Sequence, residues 1–109
     1  MKEVPNLNYI NQLAKDDEVL RKRLLMVLIN EFPTEVQNYE NQCLLSDLLK
    51  MAECVHKLKH KIGILGLENA YHMTALFEEQ LKNGSTELQG NFEIVLKNID
   101  SFLKELQTE

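Results

Sequence analysis

The sequence has few residues that break or turn a chain. Its 109 residues include only two prolines, four glycines and no tryptophan. A β-sandwich or β-barrel needs frequent turns, and glycine and proline supply many of them. The shortage therefore argues against an all-β fold and favours long helices.

Charge and hydrophobicity exclude several functional classes. The formal net charge is −5, and no basic stripe runs along the whole chain, so we expect no nucleic-acid binding. The longest apolar run, 24–29, is far shorter than the roughly 20 residues that cross a bilayer. The first residues lack the apolar segment of a signal peptide, so we expect a cytoplasmic protein. Cys43 and Cys54 lack CxxC spacing and are expected to be reduced thiols in the core.

The apolar spacing predicts a single domain over 1–109 with one short helix and four longer ones. The short helix covers about 7–14, and Asp16 or Asp17 can cap the helix that follows. The apolar stripe of this second helix continues past Pro33. Because a proline inside a helix removes a hydrogen bond, we expect a kink there or two collinear pieces.

The remaining helices have recognisable ends. Ser46 is the expected cap of the third helix, which Gly66 ends, and the fourth covers 68–82. Thr86 with Gln89 three residues later predicts a capping box at the start of the fifth. The apolar positions of the fifth helix follow a regular spacing typical of bundles: Leu88, Phe92, Val95, Ile99, Phe102 and Leu106.

Short connections between these helices make chain neighbours antiparallel. The sequence therefore predicts an all-α, antiparallel up-down four-helix bundle, with the additional short N-terminal helix across one end. No long apolar stripe is left over once the bundle forms, so we expect a monomer.

One segment of the third helix departs from the acidic character of the chain. Between 54 and 67 there is no acidic residue, but there are three lysines and two histidines. A positive patch on a negative protein can attract an anionic partner site or hold a phosphate.

Helical geometry places one histidine of this segment in solvent. At about 100° per residue, His56 points roughly 130° away from the core stripe, which is centred near Val55 and Ile62. His60 and Gly63, at i+4 and i+7, share its outward strip. Gly63 either removes bulk so that a partner can approach, or lets a neighbouring helix pack closely.

The chemistry of this strip suits phosphoryl transfer. Imidazole is largely neutral at pH 7 and can accept and release a phosphoryl group. Lys59, beside the strip, can neutralise charge on phosphoryl oxygens, whereas Lys57 and Lys61 are expected to form a solvated face. A metal bound by His56 and His60 would need a third ligand, and His72 is predicted to point away from the bundle.

At these residues the sequence resembles the histidine-containing phosphotransfer (HPt) domains of two-component phosphorelays. Their hallmark helix reads roughly Ala-His-x-Leu-Lys-Gly, followed by small residues and Leu-Gly. The run 55–60, Val-His-Lys-Leu-Lys-His, precedes Gly63 and Leu65-Gly66 here. The leucine-rich opening at 7–32 and Phe77-Glu78 also resemble the family.

The resemblance implies a phosphorelay intermediate that accepts a phosphoryl group on His56, assisted by Lys59. It implies docking of receiver domains over Gly63, with His60 and Lys57 beside it, and a sensor or hybrid histidine kinase as a further partner. The receiver would supply Mg²⁺, so the chain would need no cofactor or metal of its own. It would be a phosphocarrier without kinase activity.

His60 is a departure, because the family usually has glycine there. Its imidazole can hinder docking, restrict the choice of partner or bond the phosphoryl group, and it is a second candidate acceptor. We prefer His56, because Leu58, Lys59 and Gly63 keep the family register only with His56. The alternative function is an interaction module that docks on receiver domains or a kinase without carrying phosphate.

Overall fold

A computed structural model describes residues 3–108, which contain five α-helices and no strand. This confirms the predicted all-helical fold. No helix in this range is long and apolar enough to cross a membrane. The helices are α1 Asn8–Ala14, α2 Glu18–Leu44, α3 Leu48–Ile64, α4 Glu68–Lys82 and α5 Gln89–Gln107.

The four longer helices enclose one core. Contacts pair α2 with α3, α3 with α4, α4 with α5 and α5 with α2, while α1 packs on α2. The Phe92 ring lies 5.2 Å from the rings of both Tyr39 and Phe77, so α5 reaches two neighbours at once. The core is formed by Ile10, Leu28, Phe32, Tyr39, Met51, Ala52, Val55, Leu58, Ile62, Leu65, Leu67, Phe77, Leu81, Phe92, Leu96, Ile99 and Leu103.

Helix α2 begins as predicted and runs without a break. The Asp17 carboxylate accepts the Leu20 N–H at 3.0 Å, which satisfies a free donor of the first turn. A single α-helix passes through Pro33, so the alternative of two collinear pieces is wrong. The kink stays a prediction.

Two of the predicted caps are wrong. Asp47, not Ser46, caps α3, accepting the Lys50 N–H at 3.1 Å. Ser46 has a positive φ of 54° and closes the end of α2, which leaves the capping position to the next residue. Helix α5 begins at Gln89 without a side-chain cap. Thr86 contributes only its backbone carbonyl, because a turn at 87–88 separates it from the helix.

The buried face of α5 is rotated from the predicted one. Phe92 and Ile99 are buried as predicted, but Leu96 and Leu103 are buried in addition, whereas Val95 is only partly buried. Since α5 contacts both α2 and α4, its apolar face must be wider than that of a helix that packs against one partner only.

Lys61 is buried, which corrects the prediction of a solvated side chain. Only 8% of the residue is exposed, and its Nζ donates to Glu31 at 3.0 Å and Glu35 at 2.8 Å. Burial alone would lower the pKa of Lys61, but the hydrogen bonds and charges of Glu35 and Glu31 raise it overall. The interaction ties α3 to α2.

Replacing Lys61 should therefore cost stability. Lys61→Ala leaves the partly buried Glu35 without its cation, and we expect the free energy of unfolding to fall by roughly 2–4 kcal/mol. Lys57→Ala is the matched control, because Lys57 is exposed and should change stability by less than ~0.5 kcal/mol. Urea unfolding measures both, and equal effects would contradict the buried interaction.

Gly66 closes α3 in a conformation that other residues resist. Its φ is +77°, and a Cβ there would collide with the Asn6 side-chain amide. We expect Gly66→Ala to destabilise by about 1–3 kcal/mol. Gly90→Ala, where a Cβ meets open space in α5, should instead be neutral or stabilise by up to ~1 kcal/mol. Thermal unfolding of the two variants distinguishes them. Equal destabilisation by both would contradict the conclusion that the positive φ and the close contact with Asn6 make Gly66 special.

Candidate functional site

His56 stands on the outer face of α3. Val55 and Leu58 are fully buried, and they fix the rotation of the helix. As predicted, this rotation turns His56 to solvent, with 51% of its side chain exposed. The core therefore presents the imidazole without covering it.

The carboxylate of Glu78, on α4, holds one nitrogen of this ring. Nδ1 of His56 lies 3.1 Å from Glu78 Oε2 and 3.3 Å from Oε1. An ionised carboxylate only accepts hydrogen bonds, so this contact assigns a proton to Nδ1. In the neutral ring, Nε2 then keeps its lone pair and is the nitrogen available to an electrophile.

Two lysines share the same carboxylate. Lys59 donates to Glu78 Oε1 at 2.9 Å and is 15% exposed, while Lys82 lies 3.5 Å from Oε2 and is half exposed. Lys59 also lies 5.8 Å from the centre of the Tyr71 ring. The site thus combines a nucleophilic nitrogen with two ammonium groups.

These cations set the charge of Glu78. Burial alone would raise the pKa of this carboxyl. The hydrogen bond and charge of Lys59, with a smaller contribution from His56, lower the pKa by more than burial raises it, so it lies below its ordinary value. Glu78 is therefore ionised at neutral pH and can balance positive charge that develops on the imidazole.

Sequence reasoning noticed Glu78 only through the family resemblance and missed its contacts. The available signal was its position between Thr74 and Leu81, at i+4 and i−3, on the inward stripe of α4. A buried carboxylate requires a cationic partner. The segment of α3 that is rich in lysine and lacks acidic residues could have been expected to supply this cation.

His60 and Gly63 lie on the same strip as His56. The His60 ring is exposed, and its centre lies 5.0 Å from that of His56, with the two planes at 87°. A Cβ at Gly63 would lie 3.1 Å from Tyr71 Cδ2, so close packing of α4 accounts for this glycine. Gly63 is also exposed, which leaves room above it for a partner.

An open depression lies beside His56. Its volume is about 820 Å³, and its charged lining combines Lys50, Lys57 and Lys82 with Asp47, Glu53 and Glu78. With Lys59 this surface carries four lysines and three carboxylates, a small positive excess on an acidic chain. The exposed Lys57 is a lysine of this surface that is open to an anionic group or an acidic partner surface.

The other histidine and the two cysteines lie apart from this site. His72 is exposed on α4, as predicted. Cys43 and Cys54 are free, partly buried thiols. Among residues 3–108, no three His, Cys, Asp or Glu side chains come together in a way that could hold a metal ion.

Comparison with known protein families gives a match over most of the chain. The family model described as Hpt domain matches residues 23–109, which include most of α2, all of α3 to α5 and every residue of the site. No curated protein and no solved structure matches the chain.

The contribution of Glu78 to stability should depend on pH. Because its pKa is lowered on folding, its stabilising effect is present above the ordinary pKa near 4.5 and is lost as the pH falls through the lower folded value. At pH 7 we expect Glu78→Gln to reduce the free energy of unfolding by about 1–2 kcal/mol. The difference from wild type should shrink below about pH 4.5.

Urea unfolding between pH 3 and pH 7 tests this dependence. Glu79→Gln is the matched control, since Glu79 is the exposed neighbour on α4. A Glu78→Gln effect that is constant with pH, or equal to that of Glu79→Gln, would contradict the assigned charge.

Proposed function

Because the chain belongs to the Hpt domain family, we propose that it is a phosphorelay intermediate whose His56 accepts a phosphoryl group and exchanges it with aspartates of receiver domains. Hpt domains are phosphocarrier modules of two-component systems, not kinases. They act together with receiver domains and histidine kinases. The observation that supports His56 best is its exposed ring, anchored through Nδ1 on Glu78 with Nε2 left open.

The proposed transfer uses this anchoring directly. The Nε2 lone pair attacks the phosphorus of an aspartyl phosphate, the N–P bond forms, the P–O bond breaks, and the aspartate leaves as a carboxylate. With Nδ1 still protonated, the phosphorylated ring is cationic. The ionised Glu78, 3.1 Å from Nδ1, stabilises that charge without taking part in the bond changes.

Lys59 is the proposed stabiliser of the phosphoryl oxygens. Its hydrogen bond to Glu78 holds the ammonium group on the α4 side of His56, and the half-exposed Lys82 adds a second positive charge. The receiver would provide Mg²⁺ and the aspartate that donates or accepts the phosphoryl group. This chain would need no cofactor.

Docking of the receiver is proposed over the strip formed by His60 and Gly63, with Lys57 at its side. Gly63 adds no side chain, and Lys57 is exposed, so both suit close approach by an acidic surface. We propose a monomer consisting of one domain, in the cytoplasm where receiver domains act.

Several contacts support an antiparallel up-down arrangement of the four long helices. Between α3 and α4, His56 meets Glu78, while the later Gly63 meets the earlier Tyr71. Between α2 and α5, Tyr39 meets Glu93, while the later Cys43 meets the earlier Gln89. In both pairs the residue numbers rise along one helix and fall along the other.

A docking module without phosphoryl transfer is the second candidate. The observation that favours it is the exposed His60 ring, packed edge-on against His56, because this bulk narrows the approach of a phosphorylated aspartate. It would bind the same receivers or a kinase, but binding would be insensitive to His56→Gln.

Intact-mass measurement after mixing with a phosphorylated receiver separates the two candidates. We expect an acid-labile gain of one phosphoryl group that is lost in His56→Gln and kept in His60→Gln. Lys59→Ala should slow transfer by ~10-fold or more, because it removes a charge that stabilises the transition state. Lys104→Ala is the matched control, because Lys104 is an exposed lysine of α5 outside this site.

Two results would overturn the proposal. Loss of labelling only in His60→Gln would move the acceptor to His60. The absence of labelling with several receivers, in a protein that remains folded, would leave the docking module as the better account.

A further inference from the structure

A second concave surface lies between α2 and α5. This groove has a volume of about 610 Å³, and all of its lining residues come from these two helices. Along α2 it extends from Phe32 to Leu44, and the twelve steps between these two residues correspond to about 18 Å at the rise of an α-helix. The groove is therefore elongated and falls within the usual size of binding pockets.

The groove has an apolar floor closed by a firm contact. Phe32 and Leu96 are buried beneath it. Tyr39 and Phe92 join α2 to α5 with ring centres 5.2 Å apart, and the Tyr39 hydroxyl donates to Glu93 at 3.1 Å. At one end of the groove, 85% of Leu44 is exposed. A molecule bound in the groove would therefore pack against an apolar surface that these contacts hold in place.

The lining is acidic. It carries three carboxylates and one ammonium group, that of Lys97. Asp100 is paired with Lys104 at 2.9 Å, whereas within the described part of the chain Glu40 and Glu93 have no cation within ion-pair distance. Glu93 accepts hydrogen bonds from two neutral donors, the Tyr39 hydroxyl and the Gln89 side-chain amide. The complementary surface is apolar along its centre and positive at its margins.

We propose that this groove binds a basic amphipathic helix of a partner protein. A helix of about twelve residues matches the 18 Å length, its apolar face suits the floor, and flanking lysines or arginines suit Glu40 and Glu93. A second copy of this chain is a poorer occupant, because each copy has a net charge of −5 and like-charged surfaces would face each other.

The groove is separate from the proposed phosphoryl site. Its lining contains no residue of α3 or α4, which carry His56 and Glu78. In the ring of four helices, the α2–α5 pair lies across from the α3–α4 pair. A helix bound here leaves the His56 face free, so the protein can hold one partner while it exchanges phosphate with another.

NMR titration of the ¹⁵N-labelled full chain tests the proposal. The probe is a 14-residue helical peptide with leucines on one face and lysines elsewhere, and the counter-probe has glutamates in place of the lysines. We expect the lysine peptide to shift amide signals along α2 and α5 around the groove, and the glutamate peptide to bind at least ~10-fold more weakly. His56→Gln should bind the lysine peptide as wild type does, so this test does not depend on phosphorylation of His56.

Matched substitutions at exposed positions locate the binding surface. Glu40→Lys and Leu44→Ser should each weaken binding by ~3-fold or more. Glu79→Lys and Leu76→Ser, at exposed positions of α4, should change it by less than ~2-fold.

The proposal would be overturned by no binding at ~1 mM peptide, by shifts centred on the His56 face, by equal binding of the two peptides, or by control substitutions as harmful as those in the groove. Concentration-dependent shifts of the groove signals without peptide would assign the surface to a second copy and would also overturn it.

Discussion

The carboxylate of Glu78 organises the site on which the proposed function depends. It holds Nδ1 of His56, accepts a hydrogen bond from Lys59 and pairs with Lys82. Without this acceptor, the exposed imidazole would have no fixed tautomer, and the lysines would have no fixed position beside it. The contact also joins α3 to α4, so the interaction that orients the proposed nucleophile also helps to hold the bundle together.

The lysines of α3 form ion pairs with the helices on both of its sides. Lys61 reaches inward to Glu31 and Glu35 of α2, while Lys59 reaches Glu78 of α4. Both neighbouring helices are thus tied to α3 by charge as well as by apolar packing. The rotation of α3 is fixed from both sides, which keeps His56 pointed at solvent.

Local pattern was enough to predict much of this fold. Gly66 and the turn after Lys82 mark the bounds of α4, and the stripe of Val55, Leu58 and Ile62 predicts the outward direction of His56. These features depend on neighbours within one or two helical turns. The sequence therefore carries them without reference to the rest of the chain.

The failures involve long-range contacts or single-residue shifts of the backbone. From the sequence alone Lys61 is predicted to be a surface lysine, because its partners Glu31 and Glu35 lie on another helix. The contacts of Glu78 likewise require α3 and α4 to pack in one particular register. The change of cap from Ser46 to Asp47 depends on one positive φ angle. In α5, Leu96 and Leu103 are buried because the helix contacts both α2 and α4. A single stripe of apolar residues in the sequence does not reveal this second contact.

The most direct test of the account is to identify the nitrogen that carries the phosphoryl group. A ¹⁵N–³¹P correlation on the phosphorylated, ¹⁵N-labelled chain reports which ring nitrogen is bonded to phosphorus. The account predicts a single N–P bond at Nε2 of His56, with Nδ1 still protonated against Glu78. A bond at Nδ1 of His56, or on His60, would contradict it.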